Sequence, residues 1–276
     1  MSRHLSNAQR KDNDEYYTGR ETAVEFIDSI SSALFGKSVY CNCDEYDKSE
    51  IVKELKRRFE ELRLKKLVAT SYTGKQYYEY NGECETIYDL EGDGSYDSEE
   101  CIKIALENDV IVTNPPFSHI SNRLYDFVKN NNLKFAYIMP HCSLGYSKWL
   151  KEYNERKIKY IKMINRIFTT PENKRVKLGI LVCNNLGIDK YRARKKDTKR
   201  TYKDLKIEDE IIRCYDSSRV IGSLDALPDK FLAPITTMLC RQDLLEKYEV
   251  SLYNQLKKYY PKIFRRVLYT KREKKA

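Results

Sequence analysis

The sequence predicts an α/β protein whose core is a mostly parallel sheet with helices on both faces. Segments of strand character alternate with amphipathic helical segments between residues 19 and 185, which is typical of parallel strands connected by helices. The chain has 276 residues, enough for one large domain or for a core of about 200 residues with a smaller addition. Basic residues are concentrated after residue 189, so we expect a basic C-terminal extension beyond the α/β core.

The predicted core begins with a helix over residues 19–35, because its apolar side chains recur with helical spacing. Gly36 follows as a stop signal, and Ser49 precedes a second helix as its N-cap. Asn81 and Gly82 are typical of the turn in a β-hairpin. The predicted order of this half is helix 19–35, strand 37–43, helix 49–65, strand 66–72 and hairpin 75–90.

The second half of the core continues the alternation. Its predicted elements are helix 98–108, strand 109–113, helix 119–131, strand 134–140, helix 147–157 and strand 178–185. In folds of this class, ligands bind at the carboxyl ends of the parallel strands. Asp44 follows one predicted strand and Asn114 follows another, so we expect both residues at the ligand-binding edge of the sheet.

From the composition and the N-terminal segment we expect neither a membrane protein nor a secreted one. Charged residues make up 33% of the chain, and the mean hydropathy is −0.70. No apolar run approaches the ~20 residues that a membrane span requires. The segment before Thr18 lacks the apolar stretch of a signal peptide. We therefore expect a cytoplasmic protein without a membrane partner.

Eight cysteines are scattered along the chain, which favours reduced thiols over a disulfide framework. Cys41 and Cys43 are close enough in sequence to share a metal ion, but zinc needs two further ligands at suitable spacing. The three histidines and the remaining cysteines form no such set in the sequence, so we expect no metal site.

The charge is distributed unevenly between the two parts of the chain. Residues 190–276 contain 23 Lys/Arg and 12 Asp/Glu, a net charge of +11. Residues 1–189 contain 28 Lys/Arg and 29 Asp/Glu, a net charge of −1. A basic excess confined to one segment indicates a polyanionic partner, most simply a nucleic acid.

The segment Asn114-Pro115-Pro116-Phe117 follows the predicted strand 109–113. A simple turn would explain Asn and one proline, because proline cannot donate to a sheet ladder. Two prolines make the loop stiffer, since each ring fixes φ and the second restricts the residue before it. The Asn114 side-chain oxygen and the Pro115 carbonyl could then accept the two hydrogens of a planar amino group, while Phe117 offers a ring face. This pattern predicts chemistry on an exocyclic amine, with catalysis by positioning and electrostatics.

These residues resemble a known family. The Asn-Pro-Pro-aromatic segment is similar to motif IV of the amino-methyltransferases that act on adenine N6. Segments 39–44, 62–72, 92–118 and 227–239 resemble, in the same order, segments of the EcoRI-type adenine-specific DNA methyltransferases. The resemblance implies the Rossmann-like, seven-stranded-type fold of methyltransferases that depend on S-adenosylmethionine (SAM). It also implies SAM as cofactor, DNA as substrate, and four catalytic residues: Asn114, Pro115, Pro116 and Phe117.

The resemblance further implies which residues bind the cofactor. The first strand of the family ends in Cys-Asn-Cys-Asp, which Cys41, Asn42, Cys43 and Asp44 match. We expect the Asp44 carboxylate to bind the methionine ammonium of SAM, with capping of the following helix as the alternative. Segment 13–18 resembles a stretch that helps to close the SAM pocket, with ordinary core or surface packing as the alternative. Its residues expected at the pocket are Tyr16, Tyr17 and Thr18.

The chain departs from the family pattern near the expected cofactor site. Gly94-Ser95-Tyr96 stands where the family has Gly-Asp-Phe, so we expect Asp93 to be the acid near the cofactor adenine, with Asp97 as the alternative. Glu45-Tyr46 stands where the family has Asp-Pro. These differences indicate a distant member of the family.

The predicted function is therefore SAM-dependent methylation of adenine N6 in DNA after base flipping, as in a restriction–modification system. In this interpretation residues 1–189 form the catalytic core, and residues 190–276 contact DNA phosphates and help to select the target. A cognate restriction nuclease is compatible with this role, and no obligate protein partner is inferred. The alternatives are methylation of RNA or of a protein glutamine, and DNA binding by a scaffold that has lost its activity.

Overall fold

The computed structural model describes residues 16–170, 172–189, 205–208, 211–213, 229–239, 242–252 and 266–273. These residues group into two compact units. The first comprises the described part of Met1–Ser143 together with Ile158–Ile188, and the second comprises Leu144–Lys157 together with the described part of Asp189–Ala276. None of the helices in these ranges is both long and apolar enough to cross a membrane.

Two of the described α-helices begin at serine residues that cap them. The Ser49 hydroxyl accepts hydrogen bonds from the backbone N–H groups at the start of its helix, as predicted, and Ser98 does the same for the next helix. Gly36 follows the first helix with a φ of +68°, a conformation that favours glycine. In the described ranges the α-helices are α1 (Arg20–Leu34), α2 (Glu50–Arg57), α3 (Glu99–Leu106), α4 (Arg123–Asn130) and α5 (Ser147–Asn154).

The first unit contains two sheets. Its strands are β1 (Tyr17–Thr18), β2 (Ser38–Cys41), β3 (Lys66–Thr70), β4 (Gln76–Tyr80), β5 (Glu85–Asp89), β6 (Val110–Thr113), β7 (Phe135–Pro140), β8 (Lys159–Lys162), β9 (Ile167–Thr169), β10 (Arg175–Lys177) and β11 (Ile180–Asn184). The larger sheet has the order β5-β4-β3-β2-β6-β7-β11-β8. Every residue of β2, β6, β7 and β11 is buried, which is typical of strands covered on both faces.

The predicted α/β class is confirmed, and parallel pairing is found in the centre of the sheet. The neighbours β3, β2, β6 and β7 are parallel, whereas β4, β5, β11 and β8 pair antiparallel on the two flanks. The chain passes from β2 to β3 on one side and later places β6 on the other side of β2. Because crossovers between parallel strands are right-handed, this reversal opens a crevice at the carboxyl ends of β2 and β6.

Several predicted elements differ from the observed ones at their ends. The helix predicted over 49–65 stops at Arg57 and continues as turns, and Arg63 has a φ of +50° that an α-helix does not accommodate. The strand predicted over 37–43 ends at Cys41, because Asn42 and Cys43 form a turn. The helix predicted over 119–131 begins as a separate 3-10 turn, His119–Ser121, before α4.

The smaller sheet of the first unit has the order β1-β9-β10, and it was not predicted from the sequence. Strand β1 has only two residues and pairs antiparallel with β9. The Gly19 N–H donates to the Ile167 carbonyl over 2.9 Å, and the Thr22 hydroxyl donates to the same oxygen over 3.0 Å. Residues 16–18 are therefore fixed against β9 at the start of α1.

The second unit contains α5 and a five-stranded sheet. Its strands are β12 (Leu205–Glu208), β13 (Ile211–Arg213), β14 (Lys230–Pro234), β15 (Tyr248–Leu252) and β16 (Arg266–Lys271), in the order β12-β13-β14-β16-β15. Phe231 and Tyr269 stack with ring centroids 4.8 Å apart. The Asn154 side chain, at the end of α5, pairs with the backbone N–H and carbonyl of Val250. The predicted division of roles between residues 1–189 and 190–276 stays a prediction.

Candidate functional site

A cavity of about 540 Å³ lies in the first unit, at the carboxyl ends of β2, β3 and β6. This volume is within the range typical of small-molecule sites. Four segments supply most of its wall: 16–18, 42–45, 71–73 and 93–96. Asn114, Pro115 and Pro116 complete the wall on the side of β6, together with residues that follow them. Ten of the twelve predicted site residues therefore line a single cavity.

Cys41 and Phe117 are the two predicted site residues that do not line the cavity. Cys41 is the last residue of β2 and is fully buried in the core below. Phe117 is 2% exposed, and its ring lies against the Tyr16 ring with centroids 5.9 Å apart. Phe117 thus supports a residue of the cavity wall, and its predicted contact with a substrate ring stays a prediction.

Asn114 is held in one orientation by the segment before α1. Its amide Nδ2 donates to the Tyr16 carbonyl over 2.7 Å. Because a carbonyl oxygen only accepts hydrogen bonds, this contact requires the Asn114 nitrogen to face Tyr16 and assigns Oδ1 to the other side. Oδ1 is buried and has no hydrogen-bond partner among the described residues. The amide therefore offers one acceptor in a fixed position.

Asp44 connects the ends of three strands. Its backbone N–H donates to the Thr70 carbonyl, and its carboxylate accepts hydrogen bonds from Thr113 Oγ1 over 2.5 Å and from Ser49 Oγ over 2.6 Å. Ser49 caps α2, so the alternative role of Asp44 as the helix cap is wrong. Burial raises the pKa of Asp44 to about 6, although the hydrogen bonds from Ser49 and Thr113 act in the opposite direction.

Four buried polar atoms at the cavity lack a partner within the part of the chain that the structure describes. They are Thr18 Oγ1, Asn42 Nδ2, Asn42 Oδ1 and Asn114 Oδ1. Buried polar groups in folded proteins are nearly always hydrogen-bonded. Their concentration in the wall of one cavity indicates that a polar ligand provides the missing partners.

The loop after β5 contains both acids that the sequence analysis considered for the cofactor adenine. Asp93 lines the cavity, and its Oδ1 accepts a hydrogen bond from the Ser95 N–H over 2.8 Å. The Asp97 carboxylate instead pairs with the Arg123 guanidinium and accepts from the Ser95 hydroxyl. The geometry favours Asp93 over Asp97 as the acid that faces a ligand, and this role stays a prediction.

The Glu45-Tyr46 departure has a structural explanation. Tyr46 stacks on Tyr78 of β4, with ring centroids 4.8 Å apart and the planes nearly parallel. Glu45 lines the cavity and pairs with Lys48 over 2.6 Å. The aromatic contact thus fixes the cavity loop to the hairpin.

Several residues of the cavity wall were not predicted from the sequence. Ser71 and Tyr72 follow β3, and Tyr72 is 64% exposed. The rule that ligands bind at the carboxyl ends of parallel strands could have identified this pair, because strand 66–72 was predicted. Other residues that line the cavity and were not predicted include Glu45, Lys48, Ser49, Thr73, His119 and Arg123.

No group of three or more His, Cys, Asp or Glu side chains suited to a metal ion occurs in the described ranges. The described cysteines form no disulfide bond with one another: Cys41, Cys43, Cys84, Cys101, Cys142 and Cys183. Burial raises the pKa of the Cys43 thiol at the cavity well above its usual value, which disfavours the thiolate that nucleophilic chemistry requires.

The model of the family described as "Adenine-specific methyltransferase EcoRI" matches residues 4–88 and 81–211 of the chain. Similar proteins include the type II methyltransferase M.MpnI of Mycoplasma pneumoniae, 30% identical over 59% of this chain and 51% of that protein. The type II methyltransferase M.EcoRI of Escherichia coli is 31% identical over 56% of this chain and 53% of that protein. The type II methyltransferase M.MgeORF184P of Mycoplasma genitalium is 23% identical over 62% of this chain and 54% of that protein. The matched part of the chain spans about half the length of each of these relatives.

Proposed function

The chain belongs to the EcoRI family of adenine-specific methyltransferases, and we propose that it transfers a methyl group from SAM to the N6 amine of adenine in DNA. The observation that carries this proposal is the Asn114 side chain. It places a buried acceptor without a partner among the described residues at the end of β6, beside Pro115 and Pro116, in the wall of the cavity.

The residues of the cavity fit SAM as the methyl donor. SAM carries an ammonium group, a carboxylate, two ribose hydroxyls and the adenine amine. The Asp44 and Asp93 carboxylates suit the cationic and amine groups, and the unpaired atoms of Thr18 and Asn42 provide further donors and acceptors. Apolar and aromatic wall residues suit the adenine ring.

The catalytic role of the Asn114 loop is to position the amine. The lone pair of an exocyclic amine is delocalised into the base, so the amine is a weak nucleophile. We propose that Asn114 Oδ1 and the Pro115 carbonyl accept its two hydrogens and favour a tetrahedral nitrogen, which makes the lone pair available. When bound, SAM supplies a methyl group attached to a sulfonium. A bond from the amine nitrogen to this methyl group would replace the bond to sulfur, and the methylated amine would then release a proton to solvent.

A duplex hides adenine N6 from such a cavity, so the proposal includes flipping of the target base. The excess positive charge of residues 190–276 favours DNA as the substrate over a protein glutamine. A DNA substrate also agrees with the cytoplasmic location expected from the sequence. A cognate restriction nuclease stays a prediction.

The decisive experiment is single-turnover methyl transfer at saturating SAM by the wild type and Asn114→Ala. We expect the rate to fall about 10²-fold or more, because the lost hydrogen bond strengthens in the transition state. Asn108→Ala is a matched control. Asn108 Nδ2 also donates to a backbone carbonyl over 2.7 Å, and its Oδ1 is also buried without a partner in the described ranges, but it lies outside the cavity. Asn108→Ala should retain the wild-type rate.

DNA, RNA and protein substrates are offered in parallel with tritiated SAM. Label in DNA alone supports the proposal, whereas label in RNA or protein identifies one of the alternative substrates. Binding of DNA without binding of SAM would identify a scaffold that has lost its activity. An Asn114→Ala variant that binds SAM and DNA and transfers methyl at the wild-type rate would refute the catalytic role of the loop.

A further inference from the structure

Two buried nitrogen atoms outside the cavity lie at the edge of the large sheet where its parallel strands end. They are His141 Nε2 and Arg166 Nε, and neither has a hydrogen-bond partner among the residues that the structure describes. His141 directly follows β7, Arg166 directly precedes β9, and neither residue lines the cavity. Because a buried polar atom without a partner is unfavourable, the two nitrogens indicate that a further group binds here.

The backbone brings the two side chains to the same place. Strands β7 and β8 both pair antiparallel with β11, so the loop 163–166 after β8 leaves the sheet at the edge where His141 follows β7. The His141 N–H donates to the Gly179 carbonyl over 2.7 Å, and the Leu178 N–H donates to the Arg166 carbonyl over 3.0 Å. Burial lowers the pKa of His141, and the positive charge of Arg166 lowers it further. The guanidinium is therefore close enough to act on the imidazole.

The loop that carries Arg166 is held in place by α1. The N–H groups of Ile164 and Asn165 donate to the Glu25 carboxylate over 2.8 Å and 2.6 Å. The pairing of β9 with β1 and β10 fixes the backbone that follows Arg166. Because the loop is ordered by these contacts, little backbone freedom is lost when its side chains bind a ligand.

The chemistry of this pair and its surroundings favours an anion. The Arg166 Nε–H can only donate, and it forms its strongest hydrogen bonds with negatively charged oxygen atoms. Segment 158–178 contains six Lys/Arg and one Asp/Glu, so the positive charge extends beyond the pair. Lys162, Lys174 and Lys177 of this segment are exposed. A basic surface of this kind favours a polyanion over a single small anion.

The neighbourhood of Asn114 identifies the anion within the proposed reaction. Strand β6, which ends before Asn114, and strand β7, which ends before His141, are parallel neighbours in the sheet. Asn114 also donates to the Tyr16 carbonyl, and the next residue, Tyr17, pairs with β9. A flipped adenine stays joined to its strand through the phosphates on either side of its sugar. A phosphate site beside Asn114 would hold the strand while the base enters the cavity.

We propose that His141 and Arg166 bind one backbone phosphate of the target DNA strand, beside the flipped adenine. This inference rests on the proposed function, and it adds a DNA contact in the first unit to the one expected for residues 190–276. The Arg166 Nε–H and the His141 Nε2–H donate to the phosphate oxygens, which gives both buried nitrogens a partner. The exposed lysines of segment 158–178 attract the neighbouring phosphates.

A double-mutant cycle between protein and DNA tests this contact. The target adenine is located by methylation with the wild type, and duplexes are then made in which one phosphate near it is replaced by a neutral methylphosphonate. One such replacement should weaken binding to the wild type about tenfold or more, as expected for hydrogen bonds to a charged group. Arg166→Gln should weaken binding of the unmodified duplex by a similar factor and should be insensitive to that replacement, because the contact is already lost.

Arg63→Gln is the matched control. Arg63 is exposed and precedes β3, so it lies at the edge of the sheet opposite His141. Its replacement removes the same charge but should leave the sensitivity to each methylphosphonate as in the wild type. Both variants should bind S-adenosylhomocysteine, the cofactor product, with wild-type affinity, because neither residue lines the cavity. Arg166→Gln should also keep the stability of the wild type in the absence of DNA, whereas a structural role would lower it.

The outcomes separate this inference from the proposed function. If the wild type methylates DNA and Arg166→Gln keeps the wild-type sensitivity to every methylphosphonate, the inference is overturned and the proposed function stands. If Arg166→Gln does not fold, His141→Asn, which lacks Nε2, must lose sensitivity to one phosphate, and retained sensitivity overturns the inference. A wild type that transfers no methyl group to DNA contradicts the proposed function, and the inference then fails with it.

Discussion

At the scale of single residues, Asp44 shows how a cavity residue can reduce the stability of the fold that carries it. The carboxylate is 7% exposed, and burial raises its pKa to about 6 from its usual value of 3.8. Folding therefore favours its protonated form. Between about pH 4 and pH 6 the folded state binds more protons at Asp44 than the unfolded state does, so the contribution of Asp44 to stability falls as the pH rises.

We predict that this contribution is visible in a comparison of the wild type with Asp44→Asn. The free energy of unfolding of the wild type, relative to that of the variant, should decrease as the pH rises from about 4 to about 6 and stay constant above that range. The total change should be about 3 kcal/mol, because each pKa unit corresponds to about 1.4 kcal/mol. Urea denaturation at several pH values measures it. A difference that is independent of pH would show that the pKa of Asp44 is not raised.

The sequence could identify residues of the site but not the direction of every side chain. Asn114 and Asp44 were found because motif and strand-end arguments both point to them. Cys41 was expected at the cofactor, yet it is still within β2 and lies in the core. Phe117 lies against Tyr16 instead of lining the cavity. Contacts of this kind join positions about 100 residues apart, and local sequence patterns contain no information about them.

At the scale of elements, two loops that meet at the cavity depend on a glycine. Gly94 has a φ of +73°, and a Cβ at this position would lie 2.6 Å from the Ser71 carbonyl oxygen. The loop after β5 therefore approaches the loop after β3 more closely than any side chain permits. Because Asp93 and Ser71 both line the cavity, this approach also determines the shape of the site.

We predict that Gly94→Ala lowers both stability and SAM affinity, whereas Gly36→Ala lowers stability alone. Gly36 has a similar φ of +68°, but an added Cβ meets no described atom within 4 Å. Both changes introduce backbone strain of about 1–2 kcal/mol, and only Gly94→Ala adds a steric clash of about 1–3 kcal/mol. Denaturation and calorimetry with S-adenosylhomocysteine measure the two effects. If both variants lose the same stability and both keep the ligand affinity of the wild type, then the two loops at the cavity accommodate the added Cβ at Gly94.

Elements with strong local patterns were predicted well, and elements that depend on distant partners were not. Strands β6 and β7 and helix α1 have continuous or periodic apolar residues, and their predicted bounds are close to the observed ones. Strands β1, β9 and β10 have two or three residues each, too few to give a pattern, and form because they pair with one another. The antiparallel insertion of β11 between β7 and β8 likewise depends on pairing that a single sequence does not reveal.

At the scale of the whole molecule, the uneven charge could be predicted from the sequence, whereas the fold of the second unit could not. The net charge of +11 in residues 190–276 is evident from the sequence, whereas the five-stranded sheet within the second unit was not predicted. Its strands β14 and β16 pair across more than 30 residues. The candidate phosphate-binding residues between 190 and 204 lie outside the described residues, so their role is a prediction from charge alone.

The last prediction tests that role through the salt dependence of DNA binding. We expect replacement of basic residues in this segment by glutamine to weaken binding to all DNA sequences, because phosphate contacts carry no sequence information. Each lost contact should reduce the slope of log K against log salt by about 0.9. SAM affinity should not change, because none of the replaced residues is among those that line the cavity. Two triple variants divide the segment: Arg192/Arg194/Lys195 and Lys196/Lys199/Arg200.

A third triple variant controls for net charge. Lys37, Lys65 and Lys134 are exposed and precede β2, β3 and β7, so they lie at the edge of the sheet opposite the cavity. Their replacement removes the same three charges as each test variant does. If charge acts only through the field of the whole protein, all three variants should reduce DNA affinity equally. If segment 190–204 contacts phosphates, the two test variants should reduce the salt slope by up to about 2.7 units each and the control should leave it unchanged. Unchanged slopes in both test variants would show that this segment does not contact DNA.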